Sequence, residues 1–189
     1  MNQHSSTSPL FRGIEHIGLS VPDLEAATQF FCDVLGCRLV HSRGPTAAAD
    51  PTRSKEALKF LRDNLGVHEG TTVTGIAMLR SGHGANIELF EFKSSARREE
   101  MPNNADIGGH HLAFYSEDIG RAVEHLSASG ARILGEVKTV TTGPEEGMSW
   151  VYFVAPWGLH MELVSYPQGK GYEKSDPPVR LWTPTRPAD

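Results

Sequence analysis

The sequence is poor in the features that most quickly mark a special class. It holds two cysteines in 189 residues, Cys32 and Cys37, five apart and in no CxxC pattern. Two thiols so spaced cannot staple a chain this long, so reduced thiols in an intracellular protein are expected. No uncharged apolar run exceeds strand length, and no membrane span is expected. The opening MNQHSSTSPLF lacks a basic n-region and an apolar h-region. No signal peptide is therefore expected, and the compartment read from the sequence is the cytoplasm. Positive charge is not in excess: 18 Lys and Arg face 23 Asp and Glu, a net charge of -5. That balance argues against a general nucleic-acid surface. GxSxG, a phosphate loop, HExxH and zinc-finger spacings are also missing. What is left is a soluble globular composition, 39% hydrophobic and 22% charged, of one domain's length. Its one compositional oddity is nine histidines.

The chain reads as one unit made twice. Residues 1–12 are polar and suggest a flexible arm. GIEHIGLSV (13–21) alternates as a strand, and Asp23 is placed to cap a helix over LEAATQFFCDVLG. In that helix Ala27, Phe30, Phe31, Val34 and Leu35 form an apolar stripe, and Gly36 offers a left-handed end. CRLVHS returns as a strand. Residues 43–70 break the rhythm: GPTAAADPT is loop-like, and Ala57, Leu58, Leu61 and Leu65 then fall at helical spacing, so an inserted helix is expected. TTVTGIAMLRSG and GANIELFEF complete the first unit. After a charged linker over 93–107, GGHHLAFYSEDIGRAVEHLSASGARIL repeats the pattern. Seven positions separate His16 from Asp23, and seven separate His111 from Asp118. Nine separate Leu79 from Glu88, and nine separate Phe153 from Glu162. The expected fold is α+β, two tandem βαβββ modules forming an open, curved barrel-like sheet. The modules span 13–92 and 108–166, within one paired domain over 13–166. A Pro- and Gly-rich tail follows over 167–189.

The repeat places His16 and His111 on the first strands, and Glu88 and Glu162 on the last. Each glutamate interrupts apolar sequence, NIELFEF and HMELVSY, where a carboxylate needs a partner, a proton or a metal. Two imidazoles and two carboxylates suit a divalent ion: zinc, nickel, cobalt, manganese or ferrous iron. Phe90 and Phe92 share the Glu88 face, Tyr115 shares the His111 face, and His160 shares the Glu162 face. These four could line a pocket or simply pack. His110 faces away from His111, and His83 and His125 read as solvated.

At these residues the sequence resembles the vicinal oxygen chelate superfamily of glyoxalase I, bleomycin-resistance proteins, methylmalonyl-CoA epimerase and extradiol dioxygenases. The resemblance rests on HIGLSVPDLEAATQFFCDVLG, IELFEF, HHLAFYSEDIGRAVEHLSASG and PWGLHMELV, and covers roughly 13–166. It implies paired βαβββ modules around one metal, with His16, Glu88, His111 and Glu162 as ligands. A His, Glu, His, Glu set resembles bacterial glyoxalase I and some epimerases. Glyoxalase I, however, carries arginine and asparagine where this chain has Ser20 and Phe92, which argues against a glutathione-linked substrate.

The expected function is therefore a metal-dependent lyase or isomerase. It would act through an enediolate on a small α-hydroxycarbonyl or carboxylate, with Glu162 or Glu88 moving the proton and Glu162 favoured. Two alternatives stay open: a ferrous extradiol-type dioxygenase, for which Glu88 is awkward, and a binding or resistance protein without catalysis. A small-molecule substrate and a homodimer are expected, with no nucleic-acid or membrane partner. Whether the modules pair within one chain or between chains is open at this stage.

Overall fold

Asp23 starts the first helix as its position predicts, its Oδ1 accepting the Ala26 N–H at 2.9 Å. Asp118 does the same for Arg121 N–H at 3.0 Å in the second unit. A computed structural model describes residues 10–11, 13–44 and 55–185. Most of the expected arm over 1–12, most of the GPTAAADPT loop and the Ala57 side chain lie outside the described residues.

The first unit runs β1 (His16–Val21), α1 (Leu24–Gln29), β2 (Arg38–Arg43), α2 (Lys55–Leu65), β3 (Thr72–Arg80) and β4 (Asn86–Lys93). The second runs β5 (Leu112–Tyr115), α3 (Ile119–Ala128), β6 (Arg132–Thr139), β7 (Ser149–Val154) and β8 (His160–Ser165). The strands form two four-stranded sheets, ordered β1-β4-β3-β2 and β5-β8-β7-β6. In each, the first strand lies parallel to the last and the other pairs are antiparallel. The fold is thus α+β, two βαβββ modules whose mixed sheets do not close. β1 begins at His16, three residues later than the alternation suggests.

Two local features depart from simple periodicity. Residues Phe30–Val34 continue α1 as a wider π-helical turn, so Phe30 and Phe31 are buried while Val34 and Leu35 are only half-buried. Gly36 follows at φ 72, the left-handed region that favours glycine. The second feature is a pair of bulges, in β2 between Leu39 and His41 and in β3 between Val73 and Gly75. An extra residue in one strand shifts which side chains share a face.

Alternation then sorts the side chains into two faces per sheet. Leu19, Val21, Leu79 and Leu89 of the first sheet share one core with Val151, Phe153, Met161 and Leu163 of the second. Phe31 and Leu126, from the helical segments, complete it. Phe31 is fully buried, its ring centroid 6.4 Å from Phe114 and 6.2 Å from Trp157 of the other unit. His125, read above as solvated, instead brings Nε2 to 3.0 Å from the Val34 carbonyl across the same junction. That carbonyl ends the first helical segment and needs a donor that only the fold can supply.

α2 packs elsewhere. Leu61 joins Val73 and Ile76 in a separate cluster with Phe90 and Phe92. The β3 bulge brings Val73 opposite Phe92, and Ile76 lies opposite Phe90, so this cluster covers part of the face turned away from the shared core. After β8, the chain makes a short turn of 3-10 helix over Gly171–Ser175, and Trp182 lies beside the turn at Gly84. Among the described residues, no helix is long and apolar enough to cross a membrane.

Candidate metal centre

His16 and Glu88 come from adjacent parallel strands, β1 and β4, and both lie on the face opposite Leu19 and Leu89. His16 Nε2 stands 3.4 Å from Glu88 Oε2. In the second unit His111 Nε2 stands 3.3 Å from Glu162 Oε2. The glutamates are the more enclosed partners, with side chains 19% and 14% exposed. The two pairs are near-copies of each other, as the repeat requires.

Each imidazole has its other nitrogen fixed. His16 Nδ1–H donates to Glu15 Oε2 at 2.5 Å. His111 Nδ1 lies 3.1 Å from Asn104 Oδ1, which can accept its N–H. With the proton on Nδ1, Nε2 presents a lone pair to a carboxylate in both units. Two such acceptors facing each other call for a positive charge between them, either a proton on Nε2 or a metal ion. Donors each about 2.1 Å from one ion, at angles of about 90 to 109°, would lie about 3.0–3.4 Å apart. Both pairs match that separation, and the held Nδ1 atoms match the usual support of a ligating histidine. The residues therefore fit a divalent metal.

The surrounding carboxylates favour positive charge at His16. The Glu15 hydrogen bond, helped by the charge of Glu88, holds the His16 ring above the usual imidazole range. The same contact and the Asn86 amide, 2.9 Å from Glu15 Oε1, hold Glu15 below the usual carboxylate range. The Tyr152 hydroxyl lies 3.4 Å from His111 Nε2. In the first unit the corresponding place, opposite Glu88 on the neighbouring strand, belongs to Met78.

Among the described residues no three His, Cys, Asp or Glu side chains converge to hold an ion. The structure thus brings His16 to Glu88 and His111 to Glu162, but not the two pairs together. The reason is the packing. Each pair lies on the face of its sheet that is turned away from the shared core.

The expected pocket residues are placed as follows. Phe90 and Phe92 stack at 5.2 Å, 5° from parallel, and pack against the α2 cluster. Tyr115 packs on Tyr166 at 4.8 Å, and burial pushes its phenol up. His160 is half-buried and pairs with Val154. Glu15, Asn86, Asn104 and Tyr152 were not anticipated. Glu15 could have been suspected from its position beside His16. Asn104 lies in the charged linker, where nothing in the sequence points to a histidine seven residues on.

The model of the Glyoxalase/Bleomycin resistance protein/Dioxygenase superfamily matches residues 13–163. The chain belongs to that superfamily. It is 40% identical over 172 residues to 2-epi-5-epi-valiolone epimerase of Actinomyces sp., covering 90% of this chain and 88% of the relative. A glyoxalase family protein from Bacillus cereus shares the fold with a TM-score of 0.64 at 21% identity, covering 85% of this chain and 97% of the other. The trypanothione-dependent glyoxalase I of Leishmania major does so at 0.54 and 17% identity, covering 88% and 94%.

Proposed function

We propose that the protein is a metal-dependent epimerase of an α-hydroxy ketone, with 2-epi-5-epi-valiolone as the first substrate to try. The observation that carries this reading is the matched pair of histidine–glutamate couples, each with Nε2 and a carboxylate oxygen 3.3–3.4 Å apart. The 40% identity to an epimerase over most of both chains supports the isomerase class.

His16, Glu88, His111 and Glu162 would hold the ion, one of zinc, nickel, cobalt, manganese or ferrous iron. Bound there, the metal would supply Lewis acidity to the substrate carbonyl, lowering the cost of an enediolate. Glu162 is the favoured base: leaving the ion or sitting at its edge, it would take the α-proton, and the C–H electron pair would pass into the enediolate. Glu15 and Asn104 keep the two rings turned with Nε2 toward the glutamates.

The same geometry supports a homodimer. The two couples lie on faces turned away from their shared core, so one copy's His16–Glu88 would meet a second copy's His111–Glu162. Among the described residues β1 and β5 are each paired on one side only, which leaves their outer edges for that approach. Such a symmetric pair would form two equivalent centres.

The test is metal analysis of protein purified without chelator, followed by metal add-back and an assay of epimer formation from 2-epi-5-epi-valiolone. Bound metal and metal-restored epimerisation are expected. No specific metal binding, or binding unchanged in His16→Ala and Glu162→Gln, overturns the proposal.

A further inference from the structure

Taking a proton from the carbon beside a carbonyl leaves negative charge on the carbonyl oxygen. The base removes the proton but does nothing for that charge. A hydrogen-bond donor fixed where the charge develops lowers the barrier. Such a donor should stand beside the ligating atoms without being one of them.

The two histidine–glutamate couples are near-copies, but their neighbours differ. β7 places Tyr152 opposite Glu162, and β3 places Met78 opposite Glu88. One side chain carries a hydroxyl, and the other a thioether with no proton to give. The Tyr152 hydroxyl lies 3.4 Å from His111 Nε2, and Glu162 Oε2 lies 3.3 Å from the same atom. Hydroxyl and carboxylate thus reach one nitrogen at similar distances. They do not bond to each other: Nε2 is the hydroxyl's only hydrogen-bond partner among the described residues.

Packing holds the hydroxyl there. The Tyr152 ring meets the His111 ring edge-to-face, with centroids 5.0 Å apart at 77°. Trp150, two residues earlier on β7, meets the same ring at 5.7 Å and 79°. Both contacts are made by the ring, so a phenylalanine would keep them and lose only the hydroxyl. The proton count then decides what the hydroxyl can do. With the His111 proton on Nδ1, facing Asn104 Oδ1, the Nε2 lone pair accepts the Tyr152 O–H. Once that pair is given to an ion, the Tyr152 proton has no acceptor left among its described neighbours. A substrate oxygen placed beside Nε2 takes up the hydrogen bond.

We infer that Tyr152 is the hydrogen-bond donor to the enediolate oxygen of the proposed reaction, while Glu162, beside the same Nε2, handles the α-proton. The inference rests on the epimerase reading above. The phenol keeps its proton throughout, so it transfers nothing and needs no co-reactant. Met78 occupies the matching place in the first unit, so the donor comes from the second unit alone. That sets how the substrate lies, with its carbonyl oxygen toward Tyr152 on β7 and its α-carbon toward Glu162 on β8.

The experiment compares wild type with Tyr152→Phe. Metal affinity, by competition with a chromogenic chelator, is expected to be unchanged. Oxalate, whose adjacent anionic oxygens mimic an enediolate, is then titrated into both metal-loaded proteins. Its affinity is expected to fall about 10- to 100-fold in the variant. In epimerisation of 2-epi-5-epi-valiolone, kcat is expected to fall about 100-fold or more with KM little changed. Metal affinity that falls in the variant means that Tyr152 holds the ring or ligates the ion, and overturns the assignment. Oxalate affinity or kcat equal to wild type overturns it as well. If wild type binds metal and oxalate but forms no epimer, the epimerase reading fails. A loss of oxalate affinity in the variant then still supports Tyr152 as the donor to an anionic oxygen at this centre. Equal thermal midpoints of the metal-free proteins confirm that the variant folds.

Discussion

His111 Nδ1 lies 3.1 Å from Asn104 Oδ1, across seven residues of chain that the sequence presents only as a polar linker. The contact fixes which ring nitrogen faces Glu162. Asn104→Ala should release the ring and weaken metal affinity about 10- to 100-fold. Competition with a chromogenic chelator measures this, and the thermal midpoint of the metal-free protein should hardly move.

The turn that carries Asn104 leaves no room for a side chain at Gly109. A Cβ there would meet the Asn103 carbonyl oxygen at 2.2 Å and the Asp106 carbonyl oxygen at 2.9 Å, both backbone atoms. Gly109→Ala should push the 103–106 turn away and reproduce the loss of metal affinity expected for Asn104→Ala. The two substitutions should be clearly non-additive when combined. Chelator competition on the double variant checks this; full additivity would mean Gly109 acts by another route.

Phe31 binds the two units into one core. It is fully buried among Phe30, Phe114 and Trp157. Phe31→Ala should cost about 3–5 kcal/mol of stability, read as a shift of the urea midpoint with both units melting less cooperatively.

Cys37 gives the fold a pH signature. Burial pushes its thiol up, with Cys32 adding and a hydrogen bond to Ser81 opposing. The folded pKa lies above the unfolded one. The contribution is therefore full below the unfolded value, about 8.5, and is lost as pH rises through the folded value. Urea midpoints measured across that range should decline on the alkaline side, and less so in Cys37→Ala. Iodoacetamide should label half-buried Cys32 before buried Cys37.

The repeat was legible because its signals are local and occur twice. Asp23 and Asp118 cap where their spacing from His16 and His111 suggests, and four metal-type side chains appear at matching positions. The stripe Ala27, Phe30 and Phe31 was equally legible, since burial follows helical period until the π-turn widens it. What could not be read depends on contacts distant in sequence. The bulge that turns His41 is defined by its pairing with β3, 37 positions away at Met78. The sequence presents His125 as a solvated helix residue, since its partner, the Val34 carbonyl, is 91 positions earlier. That the two histidine–glutamate couples face away from each other's unit is a property of packing, which a repeat in sequence does not encode.

The most direct measurement mixes two inactive variants. Glu88→Gln and Glu162→Gln are each expected to abolish epimerisation when alone. If the centre joins one copy's His16–Glu88 to another's His111–Glu162, a mixed dimer regains one intact centre of two. Statistical re-association of equal amounts then restores about a quarter of wild-type activity and of stoichiometric metal. No recovery from a mixture shown to exchange subunits would contradict a centre shared between copies.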